Sequence, residues 1–262
     1  MFADDRRILT NAAKVNDGGR GGVENLSDLM HGLLYTSGTG LWPDRRIGDF
    51  NRAIQLIRED QTMPIKLFNS QTSMFCEKVR VVFALKKVPY EVIDVRADER
   101  KSLLEYTNQR KVPTLNYNGE CVIDSTVISA RLEKDHPQNS IYPEGANNKG
   151  LCLAIEDWSD EVLIHANHAM RRADTPEAKQ KAEAEWDNHF KTLDQMYAGK
   201  KFLFDNKLTI ADISIFSQLH YLYTAVKYDV PAHYKNVHAF LDNMRQTLKL
   251  KSLTDSFDAP SL

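Results

Sequence analysis

A serine and a cysteine three residues apart, in the segment SMFCEKVR at residues 73–80, are well placed for thiol chemistry. The apolar runs 65–68 and 81–85 flank them, which predicts a strand, a turn and a helix that begins near Ser73. A helix N-terminus presents unpaired N–H groups and the positive end of the helix dipole, so it favours a nearby anion such as a thiolate. Ser73 therefore has two possible roles: it donates a hydrogen bond to a bound thiolate, or it only caps the helix.

Cys76 is the alternative nucleophile in this segment. It follows the apolar residue Phe75 on the first predicted helical turn, where a cysteine usually packs as a small hydrophobic side chain. We expect a half-buried core thiol at this position and keep Cys76 as the second candidate for catalysis.

Composition excludes several classes of protein. The net charge is -2 over 262 residues, which provides no basic surface for nucleic acid or an anionic membrane. Three cysteines are too few and too scattered for a disulfide framework or a zinc site, so we expect no metal and a reducing, cytoplasmic location. The N-terminal residues lack a secretion signal, and no apolar stretch approaches the length needed to span a membrane.

The hydrophobic pattern divides the chain into an N-terminal extension at 1–62, an α/β unit at 63–137, a linker at 138–148 and an all-helical part at 149–262. The extension starts with a Gly-rich polar stretch and continues with two amphipathic helical patterns. Their apolar positions are Leu26, Leu29, Met30, Leu33 and Leu34, and then Ile47, Phe50, Ile54 and Ile57.

The α/β unit is predicted to run strand, helix, strand, helix, hairpin, helix. Asn118-Gly119 between alternating apolar residues predicts the tight turn of the hairpin, and Pro137 ends the last helix. In the helical part, Thr209 and Asp212 predict a capping box, with Leu208 packing on Ile213 as a hydrophobic staple.

Four segments in this order resemble the cytosolic glutathione transferases: SMFCEKVR, KVPTL, DSTVI and LTIADISIF. Together they cover residues 64 to 250. The resemblance implies a thioredoxin-like N-terminal domain and a helical-bundle C-terminal domain, an α/β plus all-α fold. It is closest to the serine- and cysteine-using branches, zeta-like or bacterial, which place the catalytic residue seven positions before an arginine, as Ser73 stands before Arg80.

The resemblance implies that Ser73 activates the thiol of glutathione, which serves as cosubstrate. It also implies that the Val112-Pro113 bond is cis and turns the backbone of Val112 towards the cysteinyl part of glutathione, with Lys111 near the glycine carboxylate. The usual NPxGKVP reads TNQRKVP here, so the segment before Lys111 departs from the family pattern.

The segment DSTVI implies the remaining glutathione contacts. By resemblance, Ser125 binds the γ-glutamyl carboxylate at a helix start, and Asp124 holds the adjacent amine, often with help from a partner subunit. Considered without the resemblance, Asp-Ser before an apolar run is also an ordinary helix start.

The second substrate is expected to lie against the first long helix of the C-terminal half, at about 149–172. This helix offers Trp158, His165, His168 and Arg171 as a polar wall of the electrophile pocket. Two histidines three residues apart share a helix face, but they have no third ligand to form a metal site.

The sequence therefore predicts a glutathione transferase-like homodimer whose Ser73 activates glutathione for attack on a small hydrophobic electrophile. Two alternatives remain. One is a zeta-like isomerase or a glutathione-dependent dehalogenase or ether-cleaving enzyme, and the other is a non-catalytic interaction protein with the same fold.

Overall fold

The structure is a computed structural model that describes residues 65–96, 103–204 and 207–254 together with Phe257. The two amphipathic patterns and the domain boundary predicted within residues 1–64 lie outside these ranges. The described residues form a small mixed sheet with helices, followed by a part that is mostly helical. The predicted α/β plus all-α fold is thereby confirmed.

The sheet has four strands, β1 Lys66–Asn69, β2 Glu91–Asp94, β3 Thr114–Tyr117 and β4 Glu120–Ile123, in the order β2-β1-β3-β4. Strand β1 pairs in parallel with β2 and antiparallel with β3, and β3 pairs antiparallel with β4. The predicted turn joins β3 to β4, with positive φ angles of 54° at Asn118 and 91° at Gly119.

Three helices complete the thioredoxin-like part: α1 Met74–Lys86, α2 Leu104–Thr107 and α3 Ser125–Asp135. Helices α1 and α3 pack against each other. Phe75, Val79, Val82 and Phe83 fall on one apolar stripe of α1; Val79, Val82 and Phe83 are buried, whereas Phe75 is only half-buried. Ser73 caps the start of α1, and Lys87, with a φ of 54°, is its C-cap residue.

The helical part contains five helices and two single π-helical turns within the described residues. The first helix begins at Ala146, inside the predicted linker, and its N-cap residue Gly145 has a φ of 81°, which glycine adopts readily. The elements are α4 Ala146–Trp158, a first π turn Ser159–Leu163, α5 Ile164–Arg172, α6 Pro176–Met196, α7 Ile210–Tyr221, a second π turn Leu222–Val226 and α8 Lys235–Thr247.

The predicted capping box at the start of α7 is present. Thr209 N donates to Asp212 Oδ2 at 2.9 Å, and the other carboxylate oxygen accepts from Tyr197 OH at 3.1 Å and from Leu203 N at 3.0 Å. Burial raises the pKa of Asp212, although these hydrogen bonds act in the opposite direction. One carboxylate thus joins the start of α7 to the end of α6 and the loop after it.

Helix α7 takes part in both of the larger hydrophobic cores. Ile210 and Ile213 pack with the sheet, α1 and α3, while Ile215, Phe216 and Leu219 pack in the core of the helical part. Leu208, the predicted staple residue, is partly buried against both cores. No helix in the described ranges is long and apolar enough to cross a membrane.

Helix α1 also buries four charged side chains that the apolar stripe did not predict. Lys78 Nζ lies 2.5 Å from Glu156 Oε1 and 2.6 Å from Asp160 Oδ2, and it donates to Thr126 Oγ1 at 3.1 Å. This cluster joins α1 and α3 to the helical part. The four buried charged residues of α1 are Glu77, Lys78, Arg80 and Lys86.

Candidate active site

Ser73 lies at the N-terminus of α1 and acts as its N-cap. Its backbone is extended, and its Oγ accepts a hydrogen bond from Cys76 N at 3.3 Å. The cap occupies a lone pair of the hydroxyl oxygen, and the hydroxyl hydrogen has no acceptor among the described residues. Capping and donation to a bound anion are therefore compatible at this residue.

Cys76, the alternative nucleophile, is fully buried rather than half-buried. It packs in a small cluster with Phe68 and Val112, and its Sγ accepts a weak hydrogen bond from Ser70 N at 3.4 Å. Cys76 is fully buried and is contacted by the turn before α1, so its sulfur lies in the protein interior.

The KVP segment lies beside the first turn of α1. The Val112-Pro113 bond is cis, which is the geometry that the resemblance implies. Val112 is buried in the cluster that contains Cys76, while Lys111 is exposed to solvent. Thr114 Oγ1 donates to Lys111 O at 3.1 Å and fixes the backbone before the cis bond.

Asp124 and Ser125 form the start of α3. The Asp124 carboxylate accepts from Thr126 N and Val127 N, so it caps the helix as the ordinary interpretation of the motif predicts. Asp124 also has a φ of 76° and a ψ of 131°, a region that a non-glycine residue occupies at a cost of about 1–3 kcal/mol. Such strain is concentrated at functional sites. Ser125 is 5% exposed.

A cavity of about 140 Å³ opens beside Ser73, between the N-terminus of α1 and the C-terminal end of α7. The second π turn contributes Thr224 and Ala225 to its wall, as such irregular turns often do at functional sites. Its other lining residues are Gln71, Thr72, Met74, Glu77, Arg80, His220, Tyr221, Thr254 and Phe257.

The residues predicted for the second-substrate pocket do not line this cavity. Trp158 packs in the helical core with an edge contact to His189, and His165 is exposed. His168 is half-buried, and its burial together with the neighbouring Arg172 lowers its pKa. Arg171 contacts a residue of the cavity wall: its Nη1 donates to the hydroxyl of the lining residue Tyr221 at 3.2 Å.

Sequence reasoning missed Glu77, Arg80 and His220 as cavity residues. Arg80 Nη1 donates to Asn69 Oδ1 at 2.5 Å and its Nε donates to Phe257 O at 3.1 Å, which holds Phe257 against α1. The available signal was the presence of charged residues directly after Ser73 in a helix with a strong apolar stripe. Charged side chains are seldom fully buried without a partner.

The thiols outside the site are unpaired, and the described residues hold no cluster of three or more metal-ligating side chains. Cys121 is exposed on β4 and Cys152 is buried on α4. Desolvation raises the pKa of both thiols, which disfavours their thiolate forms.

Family models match most of the described chain. A model of the glutathione S-transferase N-terminal domain matches residues 67–140, and a model of the C-terminal domain matches residues 157–256. A probable glutathione S-transferase of Nicotiana tabacum is 31% identical over 156 residues, which span 57% of this chain and 67% of the relative. Glutathione S-transferase DHAR2 of Arabidopsis thaliana is 28% identical over 200 residues, 70% of this chain and 81% of the relative.

Solved structures share the fold. A glutathione S-transferase of Methylobacillus flagellatus with GSH bound has a TM-score of 0.62 at 24% identity, covering 70% of this chain and 95% of its own. The Tau class glutathione S-transferase of mango, Mangifera indica, has a TM-score of 0.66 at 18% identity, covering 75% and 94%.

These matches define a two-domain protein with a thioredoxin-like half and a helical half. The chain belongs to the glutathione transferase family. It is a glutathione S-transferase-like enzyme, and its cosubstrate is glutathione. The zeta-like or bacterial branch stays a prediction.

Proposed function

We propose that Ser73 donates its hydroxyl hydrogen to the sulfur of bound glutathione and thereby favours the thiolate. The observation that carries this proposal is the geometry of the cap: Ser73 Oγ accepts from Cys76 N, its hydroxyl has no acceptor among the described residues, and Ser73 lines a cavity. The helix dipole adds about 0.3–1 kcal/mol in favour of an anion at this position, and a charge-assisted hydrogen bond adds about 1.5–3 kcal/mol. Since one pKa unit equals about 1.4 kcal/mol, these terms suffice for a shift of one to two units.

The thiolate then attacks a small hydrophobic electrophile by substitution or addition. The cavity next to Ser73 offers room for a small reacting group, with Met74, Ala225 and Phe257 as apolar wall and Tyr221 as a polar group. We place Arg171 at the edge of this pocket through its hydrogen bond to Tyr221, whereas Trp158 on α4 and His165 and His168 on α5 lie outside it. Retention on immobilised glutathione, followed by a screen of haloarenes, enones and organic halides, tests the activity and sorts the reaction types.

Glutathione is proposed to bind through its charged ends at sites separate from Ser73. Ser125 serves the γ-glutamyl carboxylate with its hydroxyl and N–H at the start of α3, and Asp124 holds the amine, while Val112 and Pro113 present the backbone to the cysteinyl part. Lys111, which is exposed, meets the glycine carboxylate.

We expect Ser125→Ala to weaken glutathione binding by about tenfold or more, because it removes one charge-assisted hydrogen bond of about 1.5–3 kcal/mol. Isothermal calorimetry at a pH where the thiol is protonated measures this loss. Ser129→Ala is the matched control, since Ser129 lies one turn later on α3 and its Oγ only donates to Ser125 O. Equal affinity in the Ser125 variant and the parent would exclude this anchor.

We propose that the enzyme acts in the cytoplasm as a homodimer, with the start of α3 near the partner subunit. Ile123 and Val127 flank Asp124 and are 43% and 54% exposed, which is high for large apolar side chains next to a sheet edge. A partner subunit bound to this apolar surface would lie beside Asp124. The resemblance implies that a partner subunit helps Asp124 to hold the glutathione amine.

Val127→Glu is expected to shift the dimer towards monomer by at least about tenfold in dissociation constant, because it brings a charge into an apolar contact. Sedimentation velocity over a concentration series measures the shift. Val92→Glu, on β2 at the opposite edge of the sheet and 40% exposed, is the control that should leave association unchanged. A parent chain that sediments as a monomer would refute the dimer.

A further inference from the structure

A histidine and a glutamate from the two halves of the fold meet beside Ser73. His220 lies near the end of α7, Glu77 lies one turn after Ser73 on α1, and all three line the same cavity. His220 Nδ1 and Glu77 Oε1 are 2.5 Å apart, and the residues are 2% and 5% exposed. We assign the hydrogen of this contact to Nδ1, with Glu77 Oε1 as the acceptor, because a carboxylate without a proton can only accept.

This hydrogen bond fixes the role of the other ring nitrogen. With Nδ1 protonated, the neutral imidazole presents a lone pair at Nε2, which is buried and has no hydrogen-bond partner in the described residues. A buried polar atom without a partner is costly and calls for an explanation. The other side chains with such an atom do not line the cavity: Tyr90, Asn167, Trp186 and His189.

We propose that His220 accepts the thiol proton of bound glutathione. In this step the Glu77 carboxylate orients the His220 ring and stabilises the imidazolium that forms. The inference rests on the function proposed above. The S–H bond breaks, its electron pair stays on sulfur, and the proton bonds to the Nε2 lone pair. Glu77 balances the imidazolium that forms, while Ser73 donates to the thiolate. Nothing is oxidised or reduced, and the proton later leaves with the departing group or is passed to the adduct or solvent.

The surrounding charges leave Glu77 as the acidic partner of His220. Helix α7 packs against α1, α4, α5 and both π turns. The other charged residues that these elements direct towards the interface are engaged with partners of their own. They are Lys78, Arg80, Glu156, Asp160 and Arg171.

The test is the ionisation of bound glutathione, followed by the ultraviolet absorbance of the thiolate as pH is raised. His220→Gln should raise the pH of half-ionisation by about one unit or more and lower turnover at neutral pH by roughly tenfold or more, with recovery at high pH. Affinity for glutathione at low pH should stay at the parent value. Glu77→Gln, which keeps an acceptor for Nδ1–H but removes the charge, should shift ionisation in the same direction.

Two further variants make the result decisive. His189→Gln is the matched control, since its Nε2 is also buried and unpartnered but lies away from the cavity, and it should ionise glutathione as the parent does. The double variant Glu77→Gln/His220→Gln leaves no buried charge unpaired, so it permits the measurement if a single variant does not fold.

If bound glutathione ionises at the same pH in the parent, in His220→Gln and in the double variant, His220 is not the proton acceptor. If Ser73→Ala shifts ionisation in that case, only the role of His220 is lost. If Ser73→Ala also leaves the pH of half-ionisation unchanged, the proposed activation of glutathione at the N-terminus of α1 is wrong as well.

Discussion

Ser73→Ala is expected to lower kcat/KM by about 10- to 100-fold, because the charge-assisted hydrogen bond to the thiolate is worth about 1.5–3 kcal/mol. The structure adds a stability effect to this prediction. Ser73 also caps α1, so its loss should cost about 0.5–2 kcal/mol of folding free energy. Turnover measured with a reactive electrophile and unfolding in urea separate the two effects.

Thr175→Ala is the control for the cap. Thr175 caps α6 in the same way, with Ala178 N donating to its Oγ1 at 3.2 Å, but it does not line the cavity. It should lose similar stability and keep full activity. Full activity in Ser73→Ala, with loss in Cys76→Ala, would transfer the role to the cysteine.

Lys78→Met should destabilise the fold by about 3–5 kcal/mol, the largest effect on stability that we expect from one substitution. It removes a buried ammonium and leaves Glu156 and Asp160 close together without a cation. Urea unfolding followed by circular dichroism measures the loss.

Lys66→Met is the control for Lys78→Met. Lys66 pairs with Glu91 at 3.3 Å on the surface, where both side chains are well exposed, so its loss should change stability by less than about 1 kcal/mol. Similar small losses in both variants would show that the buried cluster is balanced by other interactions. Replacing Lys78, Glu156 and Asp160 together with apolar residues should recover most of the loss.

Local signals were sufficient for much of the fold. The Asn118-Gly119 turn, the capping box at Thr209 and the start of α1 at Ser73 all depend on residues within four positions of one another. Such short-range patterns can be predicted from a sequence, because each of these backbone conformations favours particular residue types at particular positions.

The cavity could not be predicted in the same way, because its wall combines distant residues. Glu77 and His220 are separated by 143 positions and meet only after α7 packs on α1. The periodicity of α4 and α5 predicted that His165 and His168 share a face, but not which neighbour that face meets. The two π turns also have no sequence signature in the apolar pattern, although the second one shapes the cavity.

Because α7 packs in both of the larger hydrophobic cores, it limits how this chain can be recombined with a relative. A chimera joined at the loop before α4 would separate Ile210 and Ile213 from the sheet core that they complete, and would part Glu77 from His220. A graft that retains the cavity must therefore carry α1 and α7 as one block.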